Sequence, residues 1–300
     1  EFADIRQELA DKDSILKSRT VNAADFLQAN VGYRFGTQQN TWARLGRFSE
    51  DWGSRRLMAR NRFRNTINAF DGLVVHHDGG NGVHTRFMAT QDERRLPRDF
   101  ANLLDNEIES DESSDAQQFY GFHTSFPNLF DAFTTEAFYY SIKEKDTSKV
   151  RTRNKNFDSM GFRLRKPPRA GEFEFEIETI FQTGERRGSA AATDTTNLDH
   201  RAYFQYLMLG YTFDVPSNLR LQIEIDYASG DNDPFDQDTE RFDSLFGPTT
   251  FEFAVVGLYD PFNRSNILTP GIRLFADFSP DVSLMEHHHR NYVSALKKAG

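Results

Sequence analysis

Apolar and polar residues alternate one for one over long stretches of this chain, and that period commits those stretches to β-strands with two unlike faces. In residues 171–183, Phe173, Phe175, Ile177, Thr179 and Phe181 fall on one face, and Glu172, Glu174, Glu176 and Glu178 on the other. In 219–227, Leu219, Leu221, Ile223, Ile225 and Tyr227 oppose Arg220, Gln222, Glu224 and Asp226. Leu27, Ala29, Val31, Tyr33 and Phe35 oppose Gln28, Asn30, Gly32 and Arg34; Ile272, Leu274, Ala276 and Phe278 oppose Arg273, Phe275 and Asp277. Successive side chains of a strand point to opposite faces of the pleat, so each stretch presents one apolar and one charged surface.

The pattern predicts roughly thirteen strands, near 2–10, 22–35, 41–48, 68–77, 82–90, 115–126, 132–143, 154–165, 171–183, 200–214, 219–229, 264–278 and 283–293. The connections alternate in length. Short ones cover 36–40, 78–81, 127–131, 166–170, 215–218 and 279–282; long ones cover 49–67, 91–114, 144–153, 184–199 and 230–263. Short turns at one end and long loops at the other are the pattern of an antiparallel up-and-down transmembrane β-barrel. A Greek-key sandwich gives no reason for that regularity.

Composition fits this reading. The mean hydropathy of −0.66 and net charge of −9 exclude no membrane barrel, because a barrel carries its apolar residues at alternate positions. No window approaches the ~20 apolar residues of a transmembrane helix. The 29 Phe and 10 Tyr favour strands and membrane interfaces. The absence of cysteine excludes disulfide scaffolds, thiolate zinc sites and cysteine nucleophiles. No G-x-S-x-G, Walker loop or H-E-x-x-H motif is present, and the acidic balance argues against nucleic-acid binding. We therefore expect a single outer-membrane barrel domain over 1–300, not an enzyme and without a cofactor. Bacterial single-chain barrels have even strand numbers, and residues 295–300 do not read as a closing aromatic strand, so an incomplete barrel is expected, its C-terminal strands missing. The first thirteen residues lack a signal-peptide core.

Three segments carry a resemblance. The first runs Trp42-Ala43-Arg44-Leu45-Gly46-Arg47, Asp51-Trp52-Gly53-Ser54-Arg55-Arg56-Leu57, Phe63-Arg64-Asn65-Thr66 and Phe70-Asp71-Gly72. The second runs Leu209-Gly210-Tyr211-Thr212-Phe213 and Asp226-Tyr227-Ala228-Ser229-Gly230-Asp231-Asn232-Asp233. The third runs Phe242-Asp243-Ser244-Leu245-Phe246, Gly257, Phe262, Arg264-Ser265-Asn266-Ile267 and Pro270-Gly271. In order and spacing they resemble the alginate-export family of outer-membrane porins across about 44–290. Phe48 departs from that pattern, which often has glutamine there. The resemblance implies a monomeric barrel of about sixteen to eighteen strands, an arginine-lined lumen and passive export of an anionic polysaccharide of the polyuronate kind.

Arginine is the side chain that such a polymer would need. It stays charged at any relevant pH, and its planar fork matches a carboxylate. Arg44, Arg47, Arg55, Arg56, Arg60, Arg62 and Arg64 cluster in one segment. Of these, Arg44, Arg47, Arg55, Arg56 and Arg64 are candidate lumen contacts, with Arg163 and Arg165 from a second basic group beside the Pro167-Pro168 turn. The competing reading is that these arginines satisfy wall carboxylates such as Glu172–Glu178, Glu224 and Asp226. Asp71 is read as a structural partner, of Arg64. The acidic stretches 91–115 and 230–243 are read as solvated loops. Calcium at Asp231 and Asp233 is the lesser alternative, since the EF-hand spacing is absent. His287 and His289 share a face but lack a further ligand. The expected partners are the anionic polysaccharide, outer-membrane lipid and a periplasmic secretion scaffold. Alternatives are a porin for another substrate, an outer-membrane enzyme acting on glycan or lipid, and a soluble glycan-binding module.

Overall fold

The computed structural model describes all residues except 19, 37, 62–65, 130–132, 249–262, 280 and 295–300. The strands are β1 (Phe2–Ile5), β2 (Asn22–Phe26), β3 (Ala29–Phe35), β4 (Thr41–Phe48), β5 (Phe70–Asp78), β6 (His84–Arg94), β7 (Glu112–Phe126), β8 (Thr134–Glu144), β9 (Asn156–Lys166), β10 (Glu172–Arg186), β11 (Leu198–Thr212), β12 (Arg220–Ala228), β13 (Asp238–Thr239), β14 (Ile267–Ser279) and β15 (Val282–His289). One short helix, α1 (Phe100–Leu104), lies between β6 and β7. No helix among the described residues is long and apolar enough to cross a membrane.

The chain meanders. From β3 to β15 each strand pairs antiparallel with the next in one thirteen-stranded sheet; two-residue β13 is off this path, beside β11. Short connections and long loops fall at opposite ends, as the sequence predicts. No ladder joins β3 to β15 among the described residues. Most ends shift by a few residues, β13 was not expected, and two expected strands differ more substantially. The stretch 22–35 is two strands: β2 leaves the wall to pair with β1 in a separate hairpin, and only β3 joins the main sheet. The break falls at Leu27-Gln28, where Leu27 is buried and the Gln28 amide bonds the Glu1 carbonyl at 3.1 Å. The expected strand 2–10 is only four residues long.

The two faces are inverted relative to a soluble protein. On β12, Ile223 is 54% exposed while its neighbour Glu224 is 3% exposed. On β10, Phe173 and Phe181 are exposed while Glu174, Glu178 and Gln182 are buried. Burying charge costs several kcal/mol per group unless it is paired, and exposing a row of aliphatic side chains to water discards what drives folding. This arrangement is stable where the outer face meets hydrocarbon, not water.

Candidate functional site

Register fixes which residues share the inner face. Directly paired residues lie on the same side of a sheet, so Glu136, Arg163 and Glu178 form one row across β8, β9 and β10, and Thr134, Arg165 and Glu176 form the next. Glu174 and Gly210 continue to Gln222, Arg273 and His287. On the other half of the wall, Arg34, Trp42, His76, Arg86 and His123 form a row from β3 to β7.

Described parts of two long loops lie against the inner face. The loop 49–69 carries Trp52, Gly53 and Ser54 at an inward tip. Gly53 adopts the left-handed conformation (φ +54°), and a Cβ there would meet His123 Nε2 at 2.9 Å and Glu136 Oε2 at 3.2 Å, so glycine lets the tip approach β7 and β8 without displacing those side chains. Ser54 Oγ donates to Glu178 Oε1 at 2.8 Å. Arg56 is buried, pairs with Glu176 at 2.8 Å and with Glu178, and lies 3.9 Å over the Tyr206 ring. The loop 229–266 meets the first from the other side. Phe246 packs edge-on against Phe70 and Phe119, with centroids at 4.8 and 5.0 Å, and its amide donates to the Leu57 carbonyl at 3.0 Å. Phe242 stacks on Phe204 at 5.2 Å. Asp243 bonds Arg186 at 2.9 Å and Lys155 at 2.7 Å. Burial alone would raise that carboxyl, but the two cations hold it well below the usual range. Arg264, on this second loop, is buried, donating to the Pro248 carbonyl of the same loop at 2.9 Å, with its Nε 3.8 Å from Asp226. An apolar cluster that includes Phe48, Trp52, Leu57, Met58, Phe70, Phe119 and Phe242 thus sits inside a charged wall.

The arginines singled out from sequence separate into distinct places. Arg44 is on the inner face, paired with Glu50 and 4.8 Å from the Trp42 ring. Burial opposes ionisation of Glu50, but His76, Trp52 and Arg44 hold its carboxyl below the ordinary value. Arg47 is on the opposite face of β4, since an odd separation reverses direction along a strand. There it makes two bonds to Asp71, at 2.8 and 2.9 Å, and one ion pair with Glu93 at 3.1 Å. Asp71 therefore has Arg47 as its partner; Arg64, its expected one, lies outside the described residues. Arg55 occupies a turn of the inward loop at φ +68°, half-buried. Arg163 bridges Glu136 at 3.3 Å and Glu176 at 2.9 Å. Arg165 is exposed on the inner face near the short-turn end. Asp231 and Asp233 lie in loop 229–266, where Asp233 accepts from the Phe235 amide at 3.3 Å.

Further inner-face cations come from positions that the sequence did not single out. Arg220 pairs bidentately with Glu174, its Nη2 at 2.7 Å, and Arg273 pairs with Glu224 at 2.9 Å. Arg86 donates to the Asp51 carbonyl at 3.2 Å. Strand parity alone puts Arg220 with Glu224 and Asp226; the ion pairs require knowing which strands are neighbours. Among the described residues, no carboxylate lies within salt-bridge distance of Arg34 or Arg165.

A meandering wall with an apolar outer face and a charge-paired inner face is the architecture of an outer-membrane pore. A family model described as "Alginate export" matches residues 1–297. The chain belongs to the alginate-export family. This is a transport family of outer-membrane β-barrels, not an enzyme family. No curated protein matches the chain.

Proposed function

We propose that this alginate-export protein forms the wall of an outer-membrane pore through which an anionic, polyuronate-like polysaccharide leaves passively, guided by arginines of the inner face. The observation that carries this reading is the inverted wall: exposed Leu221, Ile223 and Ile225 alternate with buried Gln222, Glu224 and Asp226. Such a wall places hydrocarbon outside and a polar path within. Lipid covers the outer face, the wall acts as a monomer, and the short-turn mouth faces the periplasm, where a secretion scaffold would deliver the polymer.

Most inner-face arginines already hold a carboxylate, and this suits conduction. A polymer must bind well enough to enter and weakly enough to move on. Arg163, Arg220 and Arg273 can trade a wall glutamate for a uronate at little net change. Arg34 and Arg165 offer first contacts at the short-turn end, and Arg44 and Arg56 lie further along. Arg55 and Arg64, from the same loop, complete the set; Arg47 is retained as the partner of Asp71. Among the described residues, calcium at Asp231 and Asp233 has no converging ligand set behind it.

The test is reversal potential in planar bilayers with the full-length protein. Wild type is expected to prefer anions. R34Q and R165Q together should reduce that preference without lowering heat-resistant folding, and oligouronate should block wild type more strongly than the double variant. A cation-selective pore indifferent to these substitutions would refute the arginine path.

A further inference from the structure

The inner face of β12 and β15 carries the one group of three or more converging His, Asp or Glu ligands among the described residues: Glu224, His287 and His289, with ligand atoms all within 4.8 Å of one another. Its geometry has a specific cause. In the register, Glu224 pairs with Gly271, and Gly271 pairs with His289. The residue between the carboxylate and the imidazole therefore has no side chain. A Cβ on Gly271 would meet His289 Cε1 and Nδ1 at 2.6 Å and Glu224 Cγ at 3.1 Å. The glycine lets groups from strands two apart meet over the backbone of β14.

Both imidazoles reach the same oxygen. His287 Nε2 is 2.9 Å and His289 Nε2 3.2 Å from Glu224 Oε1. A tetrahedral ion with bonds of about 2.0–2.1 Å separates its ligand atoms by roughly 3.3 Å, close to this spacing. The other oxygen, Oε2, accepts from the Tyr206 hydroxyl at 2.7 Å, which orients the carboxylate. Two nitrogens and one carboxylate oxygen suit zinc-class divalent ions, with a remaining position open for water. A cation already stands at this place: Arg273 Nη2 is 2.9 Å from Glu224 Oε1, and its Nε is 3.0 Å from His287 Nε2.

We propose that Glu224, His287 and His289 form a binding site for a zinc-class divalent cation, in competition with the Arg273 guanidinium. The ion takes the carboxylate and both imidazoles, and displaces Arg273 toward the interior. The site then gains positive charge on the inner face, beside the path assigned above to the polymer; the metal site itself does not depend on that assignment.

The experiment is zinc titration by calorimetry on the full-length protein in detergent, purified without a polyhistidine tag, with heat-modifiable migration as the folding control. One Zn²⁺ per chain is expected. H289A should abolish this binding. Y206F, which removes only the hydroxyl that orients Glu224, should weaken it by about 10–100-fold. R273Q should strengthen it, as the competing cation is gone. Should H289A fail to fold, Cu²⁺ bound to wild type is examined by electron paramagnetic resonance, where two coordinated imidazole nitrogens are expected. Absence of stoichiometric binding, binding unchanged in folded H289A, or a Cu²⁺ signal without nitrogen coupling would each overturn the proposal.

Discussion

Replacing Arg56 by methionine should free the inward loop without dismantling the wall. The guanidinium is a buried polar anchor of that loop, through Glu176, Glu178 and the face of Tyr206. After its loss Glu176 still has Arg163, at 2.9 Å. Glu178 is left with the Ser54 hydroxyl, which belongs to the same loop. Removing one partner of a buried pair costs about 3–5 kcal/mol, so the undocked loop should become roughly a hundred- to several-thousand-fold more populated. Trp52, Leu57 and Met58 stay buried, each contributing about 1.5–3 kcal/mol. The docked form therefore remains the majority, and the change is in how often the loop leaves. Trypsin cleavage after Arg55 and Arg60, followed in detergent at low protease, reports that open fraction. The rate should rise by a comparable factor, with more frequent conductance excursions in bilayers. The double variant R56M/E178M replaces the pair with apolar groups, and should return most of the protection because a buried ion pair is often dispensable when both partners go. Wild-type cleavage rates in R56M, or a double variant as labile as the single one, would refute this account.

Three further outcomes follow from the same structure. Ile223→Arg, at an exposed position of β12, should cost about 2–4 kcal/mol if that face meets the bilayer interior, and outer-membrane assembly should fall; in a soluble protein the exchange would be close to neutral. Gly161→Ala would set a methyl 2.5 Å from the Thr179 carbonyl and from the Phe138 ring, so urea unfolding in detergent should show a loss of about 1–3 kcal/mol. Asp146 accepts from the Thr152 amide and pairs with Arg187 and Arg151, which lowers its pKa to about 2. A depressed carboxylate stabilises fully above its ordinary value of 3.8 and loses that contribution as pH falls toward about 2. Protection against hydrogen exchange in 145–155 and 187–197, corrected for the intrinsic exchange rate at each pH, should be flat from neutral pH to about 4 and then fall, and Asp146→Asn should show the low-pH pattern at neutral pH.

Much of the wall was legible because strand period and turn spacing are local properties. Residues 171–183 and 219–227 fold as the strands that their alternation predicts. The hairpin of β1 and β2 was less legible, because no local signal marks Leu27 as the point where the chain leaves the sheet. The site was legible only in part. Strand parity alone separates Arg44 from Arg47, since three residues along a strand reverse the face. Parity does not pair Arg56 with Glu178, because those groups are remote in sequence and meet only when a loop crosses the interior. His287 and His289 looked short of a ligand for the same reason: Glu224 reaches them across Gly271, and a gap in side-chain volume on the intervening strand leaves no trace in local pattern.

The sequence by itself determined that this protein is an antiparallel meander with one apolar and one charged face. Period two, turn length and residue polarity act over a few neighbours, so they survive in one dimension. Which face turns inward, which loops fold into the interior and which carboxylate each arginine holds were decided by tertiary structure. Those choices depend on the curvature of the whole sheet and on pairs of charges brought together from distant strands, where burial makes an unpaired group too costly to leave alone.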